Sequence, residues 1–173
     1  TGADKVFLLA DGSEVEKGCK LPIVAAEDIK PGRIEWDGRY MLNPYDSTDS
    51  KKMRDFSRYP KALAYVRRYE SVLKGRHCAK AHPKEWLRTI DRINYAVLNG
   101  PKVLMPDIQL GGVAALDAEG RYYPHHNVYY VMSSGWNIRA LCSILRSSFV
   151  TEQIKKVSVS LRGGSIRYQS QNL

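Results

Sequence analysis

Pro60-Lys-Ala-Leu-Ala-Tyr-Val-Arg-Arg-Tyr-Glu-Ser-Val-Leu-Lys-Gly75 is the stretch in which the spacing of apolar residues changes. Leu63, Val66, Tyr69 and Leu73 recur at helical intervals, leaving Lys61, Arg67, Arg68 and Lys74 on other faces. Gly75 supplies a stop. A second helix is expected from about Pro83, a favoured first-turn residue. Trp86, Leu87, Ile90, Ile93 and Val97 form its apolar stripe, and Asn99-Gly100-Pro101 ends it. Arg76-His-Cys-Ala-Lys80 then reads as the connection, and residues 51–100 as one basic helical segment.

Outward from this segment the pattern is that of short strands. On the N-terminal side, Lys5-Val-Phe-Leu-Leu-Ala10 followed by Asp11-Gly12 predicts a strand entering a hairpin. Leu21-Pro-Ile-Val24 and Arg39-Tyr-Met-Leu42 are further strands, separated by turns at Pro31-Gly32 and Asp37-Gly38, and Asn43 to Ser50 is polar linker. On the C-terminal side, Lys102 to Ile108 reads as a strand whose Pro106 favours an edge or a bulge. Val113 to Asp117 and Asn127 to Met132 follow, with Glu119-Gly120 turning into Arg121-Tyr-Tyr123. Ser134 is expected to cap a helix carrying Ile138, Leu141, Ile144, Leu145 and Phe149. Leu161 to Tyr168 is glycine-kinked and basic. Strands, two basic helices, strands and a C-terminal helix predict an α+β fold with a small mixed or antiparallel sheet.

The charge is uneven. The chain has a net charge of +9, and residues 51–92 hold thirteen Lys/Arg against four Asp/Glu, while the remainder holds fourteen of each. A field so concentrated can hold a polyanion, although basic residues also solvate the outer faces of helices. With 43% hydrophobic and 26% charged residues among 173, the composition is that of a globular domain rather than a disordered chain. No apolar run reaches the roughly 18 residues that a membrane span needs, and no signal peptide is visible. Cys19, Cys78 and Cys142 are far apart and odd in number, which points to a reducing cytoplasm rather than a disulfide framework. A start at Thr1, without methionine, is expected of a piece of a longer protein.

Near-matches to catalytic motifs fail on spacing. Asn43-Pro44-Tyr45 lacks one proline of the Asn/Asp-Pro-Pro-Tyr/Phe motif of amino-methyltransferases, and no glycine-rich loop precedes it, so it reads as a turn. Pro106-Asp107 could open a nuclease signature, but Asp117 and Glu119 lack the lysine two positions on, and Glu152 has Lys155 three away. His77, Cys78 and His82, with His125-His126, lack the paired spacing of a zinc site. The serines and cysteines lack a recognisable base. No catalytic or metal-binding residue is expected here.

The residues suited to nucleic acid fall into three groups. Arg67, Arg68, Lys74, Arg76, Lys80, Lys84, Arg88 and Arg92 supply cations for phosphate, with Arg76 and Lys80 favoured because a connection reaches outward. Arg121, Tyr123, His125, His126 and Asn127 combine rings with hydrogen-bonding edges that suit base reading, or else pack a sheet. Arg162-Gly163-Gly164-Ser165-Ile166-Arg167 offers amides and arginines for phosphate, or else a bulged strand.

Four segments resemble one family in order along nearly the whole chain. They are Thr1-Gly-Ala-Asp-Lys-Val-Phe7, Pro101-Lys-Val-Leu-Met-Pro-Asp-Ile108, Tyr122-Tyr-Pro-His-His-Asn-Val-Tyr-Tyr-Val131 and Leu161 to Leu173. The family is the TaqI-like C-terminal specificity domain of adenine-specific DNA methyltransferases, including restriction-modification enzymes that fuse methylase and specificity regions. The resemblance implies a non-catalytic target-recognition domain over residues 1–173 whose partners are duplex DNA and the methyltransferase catalytic domain of the same parent chain. That separate domain would bind S-adenosylmethionine and methylate a flipped-out adenine, while this one grips the duplex and reads bases through the major groove. An RNA-binding module, a nuclease domain and a protein-docking scaffold are the competing expectations.

Overall fold

The computed structural model describes residues 4–10 and 14–168. In chain order the strands are β1 (Leu8–Leu9), β2 (Lys20–Val24), β3 (Ile29–Lys30), β4 (Arg33–Ile34), β5 (Tyr40–Leu42) and β6 (Lys102–Pro106). They continue with β7 (Ile108–Gln109), β8 (Ala115–Asp117), β9 (Tyr123–Pro124), β10 (Val128–Val131) and β11 (Ile166–Arg167). The α-helices are α1 (Pro60–Arg68), α2 (Glu70–Lys74), α3 (His77–Ala81), α4 (Tyr95–Asn99), α5 (Ile138–Leu145) and α6 (Ser148–Val157). This is an α+β fold. It divides into two compact units, residues 1–22 with 38–95 and residues 23–37 with 96–173.

In the first unit, β5 lies between β1 and residues 20–22 of β2, antiparallel to both, with Met41 opposite Leu8 and Leu21. The apolar side of the expected helix packs as its spacing requires. Ala62, Val66 and Leu73 are buried with Phe7, Leu9, Cys19, Leu42 and Phe56. Glu16 closes the N-terminus of α1, accepting from the amides of Lys61 and Ala62 at 2.8 Å each. Desolvation works against its charge, but the amides of Lys61, Glu16 and Ala62 outweigh it and hold the carboxyl below its ordinary value.

The helical segment departs from its expectation in three places. The helix over residues 60–75 is interrupted at Tyr69, whose ring packs on Tyr65 at 5.2 Å between centroids. The connection at 77–81 is itself a helical turn, α3, with Ala79 buried. Of the second helix only the end forms, as α4. Pro83 opens only a 3-10 turn (Pro83–Glu85), and Ile90 is 81% exposed. One competing interaction is distant and one local: the Thr89 amide donates to the Tyr45 hydroxyl at 3.0 Å, and the Thr89 hydroxyl donates to the Asp91 carbonyl. Side-chain bonds of this kind draw the backbone away from helix.

In the second unit, β6 is the centre of a three-stranded antiparallel sheet, β10-β6-β8, and all five of its residues are buried. The edge placement suggested by Pro106 is therefore corrected. Proline is tolerated because it ends the strand, and the Asp107 amide resumes the ladder by donating to the Asn127 carbonyl at 3.0 Å. Lys102 starts β6 fully buried, 2.7 Å from the buried Asp117 of β8. Asp117 also accepts from the amides of Arg121 and Tyr122, and so fixes the turn after β8. Gly120 takes φ +66° in that turn, and a Cβ there would lie 2.7 Å from the Asn99 carbonyl carbon. Residues 23–24 of β2 pair in parallel with β9, and β7 pairs with β11.

The helix expected from Ser134 starts later and breaks. Asn137 is the cap, its Oδ1 accepting from the amides of Arg139 and Ala140 at 2.9 and 3.2 Å. Ser147 caps a separate α6 through the Val150 amide, which leaves Phe149 70% exposed. Near the N-terminus, Lys5 to Ala10 is a 3-10 turn running into the short β1, and the Asp11-Gly12 turn lies outside the described residues. Among the described residues no helix is long and apolar enough to cross a membrane.

Candidate nucleic-acid interface

The cations of the first unit separate by what their side chains already hold. Arg76 is half-buried, donating to the carbonyls of Leu73 and Trp86 at 3.1 and 2.8 Å with its guanidinium over the Phe7 ring. Arg92 donates to the Ser50 carbonyl and to Glu85, and lies over Tyr45. Arg88 faces Glu85 at 3.7 Å. Lys74 pairs with Glu70 and sits 5.4 Å from the centroid of Trp86, and Arg68 reaches Glu14 at 3.2 Å. Arg67, Lys80 and Lys84 are exposed and make no side-chain hydrogen bond or ion pair among the described residues. Lys80 does point outward, but from the last turn of α3 rather than from a loop.

The second unit holds the other candidates. Arg121 is exposed and paired with Glu119, which raises its pKa through a hydrogen bond and Coulombic attraction. Tyr123 is half-buried in β9. The rings of His125 and His126 lie 3.9 Å apart, and only His126 is exposed. The Oδ1 of Asn127 meets His125 Nδ1 at 2.8 Å and accepts from the Ala26 amide at 3.4 Å. Both lone pairs are thus occupied, so Asn127 presents only its amide nitrogen and not the bidentate edge that reads adenine. Gly163 and Gly164 take φ +81° and +79° in the turn Arg162–Gly164, with open space where a Cβ would stand. Arg167 is exposed on β11, and the Arg162 side chain lies outside the described residues.

A second basic stretch was hidden by the zero balance of the remainder. Residues 120–173 carry seven Lys/Arg and one acid, Glu152, and residues 120–151 contain no Asp or Glu at all. The excess is cancelled by acids in residues 1–50 and 93–119, two of which, Asp28 and Asp117, are buried. A running charge count would have exposed it. The structure leaves three of its arginines, Arg139, Arg146 and Arg167, with exposed side chains that make no hydrogen bond or ion pair among the described residues.

The motif near-matches are structural. Asn43, Pro44 and Tyr45 are buried; Asn43 Oδ1 accepts from the Tyr45 amide, and its Nδ2 donates to the Tyr95 hydroxyl at 3.0 Å. A turn filled by its own side chains does not fit a methyl donor or a target base. Asp107 contributes its backbone to the Asn127 and Tyr168 hydrogen bonds, while Asp117 is held by Lys102. Cys78 donates to the Arg88 carbonyl, and among the described residues no three His, Cys, Asp or Glu gather to hold a metal.

A model of the TaqI-like C-terminal specificity domain matches residues 21–173. The Type II methyltransferase M.BstVI of Geobacillus stearothermophilus is 38% identical over 174 aligned positions, which take in all of this chain and 30% of that protein. M.XhoI of Xanthomonas vasicola is 39% identical, with all of this chain and 31% of that protein aligned. M.PaeR7I of Pseudomonas aeruginosa is 40% identical, with 30% of its length aligned. The chain thus spans about 30% of the length of these relatives. The fold is similar to part of the Type IIL restriction-modification enzyme MmeI, solved in complex with DNA. The TM-score is 0.64 at 12% identity, over 97% of this chain and 22% of that one.

Proposed function

This chain belongs to the TaqI-like C-terminal specificity domain family, and from that premise we propose that it reads the target sequence of duplex DNA for an adenine-specific methyltransferase. The observation that carries the reading is the presence in both units of exposed cations with no side-chain hydrogen bond or ion pair among the described residues, Arg67, Lys80 and Lys84 among those in one, Arg139, Arg146 and Arg167 in the other. Cations already held by carboxylates would lose one partner to gain another, whereas these release counterions from phosphate at no such cost. Sequence is read separately, by side chains at base edges, for which the exposed His126 and the amide nitrogen of Asn127 are candidates.

Methyl transfer belongs in this reading to the portion of the relatives that this chain does not cover. S-adenosylmethionine would bind there and supply the methyl group. The residues of this chain orient the duplex and choose its register. Neither the Asn43–Tyr45 turn nor Asp107 takes part in that chemistry.

The test is a gel shift with a library of duplexes at low and high salt. Binding should select a subset of sequences and weaken steeply as salt rises. Equal affinity at both salt concentrations, or preference for a single-stranded RNA competitor, would overturn the reading.

A further inference from the structure

The chain has three tryptophans, and two are engaged. Trp36 donates from Nε1 to the Ile23 carbonyl at 3.0 Å and packs against Tyr122. Trp86 is half-buried beneath the Lys74 ammonium. Trp136 is 67% exposed, and its indole makes no hydrogen bond or ring contact among the described residues. Its backbone, by contrast, is pinned: the Trp136 amide donates to Ser133 Oγ at 2.9 Å, and the next residue, Asn137, caps α5. A capped junction between β10 and α5 therefore holds a large apolar ring out into solvent, where it gains nothing for the fold.

We propose that Trp136 is a nucleic-acid contact, its indole stacking on a base of the bound duplex and Arg139 reaching the adjoining phosphate. The inference rests on the DNA-recognition reading and adds a residue that the charge analysis did not select. Two observations favour nucleic acid over a protein face. Trp136 lies within residues 120–151, which contain no acid, and of the residues around it Ser133, Ser134 and Asn137 are polar and Arg139 cationic, with Gly135 and Ile138 among them. An exposed apolar ring in an acid-free segment, three residues from Arg139, matches a partner that presents π-faces beside phosphates. Stacking also tolerates any base, so the contact would add affinity and kink or open a step rather than name a sequence.

The test uses the full chain and a 30-base-pair mixed-sequence duplex at low salt, with anisotropy of labelled duplex and tryptophan emission read together. The wild-type chain should bind, and its emission should fall as the indole stacks. W136F should abolish most of that quenching, and W136A should weaken binding about tenfold, the scale of one base stack. R139A should reduce the salt slope by about 0.9, one phosphate contact. Equal quenching in W136F, or unchanged affinity in W136A, overturns this inference while leaving DNA recognition intact. A wild-type chain that does not bind the duplex overturns both. Loss of self-association in W136A at unchanged duplex affinity assigns the ring to a protein interface instead, and also overturns it.

Discussion

Residues 51–92 of the first unit and residues 120–168 of the second both carry more cations than acids, but they hold them differently. In the first, Arg76 and Arg92 are set against carbonyls and rings, Arg68, Lys74 and Arg88 against carboxylates, and Lys51, Lys61, Arg67, Lys80 and Lys84 make no side-chain hydrogen bond or ion pair among the described residues. In the second, with no acids over residues 120–151, Arg139, Arg146 and Arg167 make no side-chain hydrogen bond or ion pair among the described residues, while Arg121 and Lys155 meet carboxylates and Lys156 meets Gln153. A net charge measures the field around a region; it does not say which cations can exchange their partner for phosphate. By that second measure the first stretch holds five such cations and the second three among the described residues, and eight of the thirteen cations in the first are already engaged.

Neutralising three such cations in each unit tests whether both units reach phosphate. R67A/K80A/K84A and R139A/R146A/R167A are each expected to flatten the plot of log affinity against log salt by about 2.7, at about 0.9 per phosphate contact. Duplex titrations at 50 and 200 mM salt would show it. If only one triple changes the slope, the contacts lie in that unit alone and the comparison fails.

A sharper version sets two neighbours against each other. R76A removes two hydrogen bonds to main-chain carbonyls and the stack on Phe7, and should cost about 2 kcal/mol of stability with no change in salt slope. K80A, four residues on, should change stability by less than about 0.5 kcal/mol and flatten the slope by about 0.9. Urea denaturation and duplex titration of the same two variants measure both quantities. A fall in salt slope for R76A without loss of stability would show that its carbonyl bonds exchange readily for phosphate.

Much of this was legible in the residues, and what was not has a physical cause. The helices over Pro60 to Leu73 follow from spacing, and the strands at Leu21, Tyr40, Val103 and Val128 from short apolar runs between turn residues. The helix from Pro83 failed because the Thr89 bonds to Tyr45, 44 residues away, are invisible to a local period. Pro106 misled because its position at the end of β6, rather than within it, is set by partners at residues 127–128. Of the candidate site, the residue types were legible and their surroundings were not. Arg76 looked free on a connection and is half-buried, Asn127 looked like a base reader and is held by His125 and Ala26, and Trp136 passed unnoticed because exposure has no sequence signature.

The smallest expected effect concerns the acid that lets the first unit keep its helix in so basic a setting. Glu16 receives the Lys61 and Ala62 amides at the start of α1, a role that Gln can fill in shape but not in charge. E16Q should therefore cost about 1 kcal/mol near neutral pH, the usual range of a charged N-terminal cap. Its folded pKa is held below the ordinary 4.5 by amide hydrogen bonds that outweigh desolvation. The unfolded chain thus binds this proton more tightly than the folded one. The contribution is present above that ordinary value and lost as pH falls through the lowered one. The stability gap between wild type and E16Q should accordingly close on acidification below pH 4.5 and stay constant above it, as thermal melts across that range would reveal. A gap that persists at low pH would mean that the side chain acts by packing alone, and that the first unit holds even its acids for shape rather than for charge.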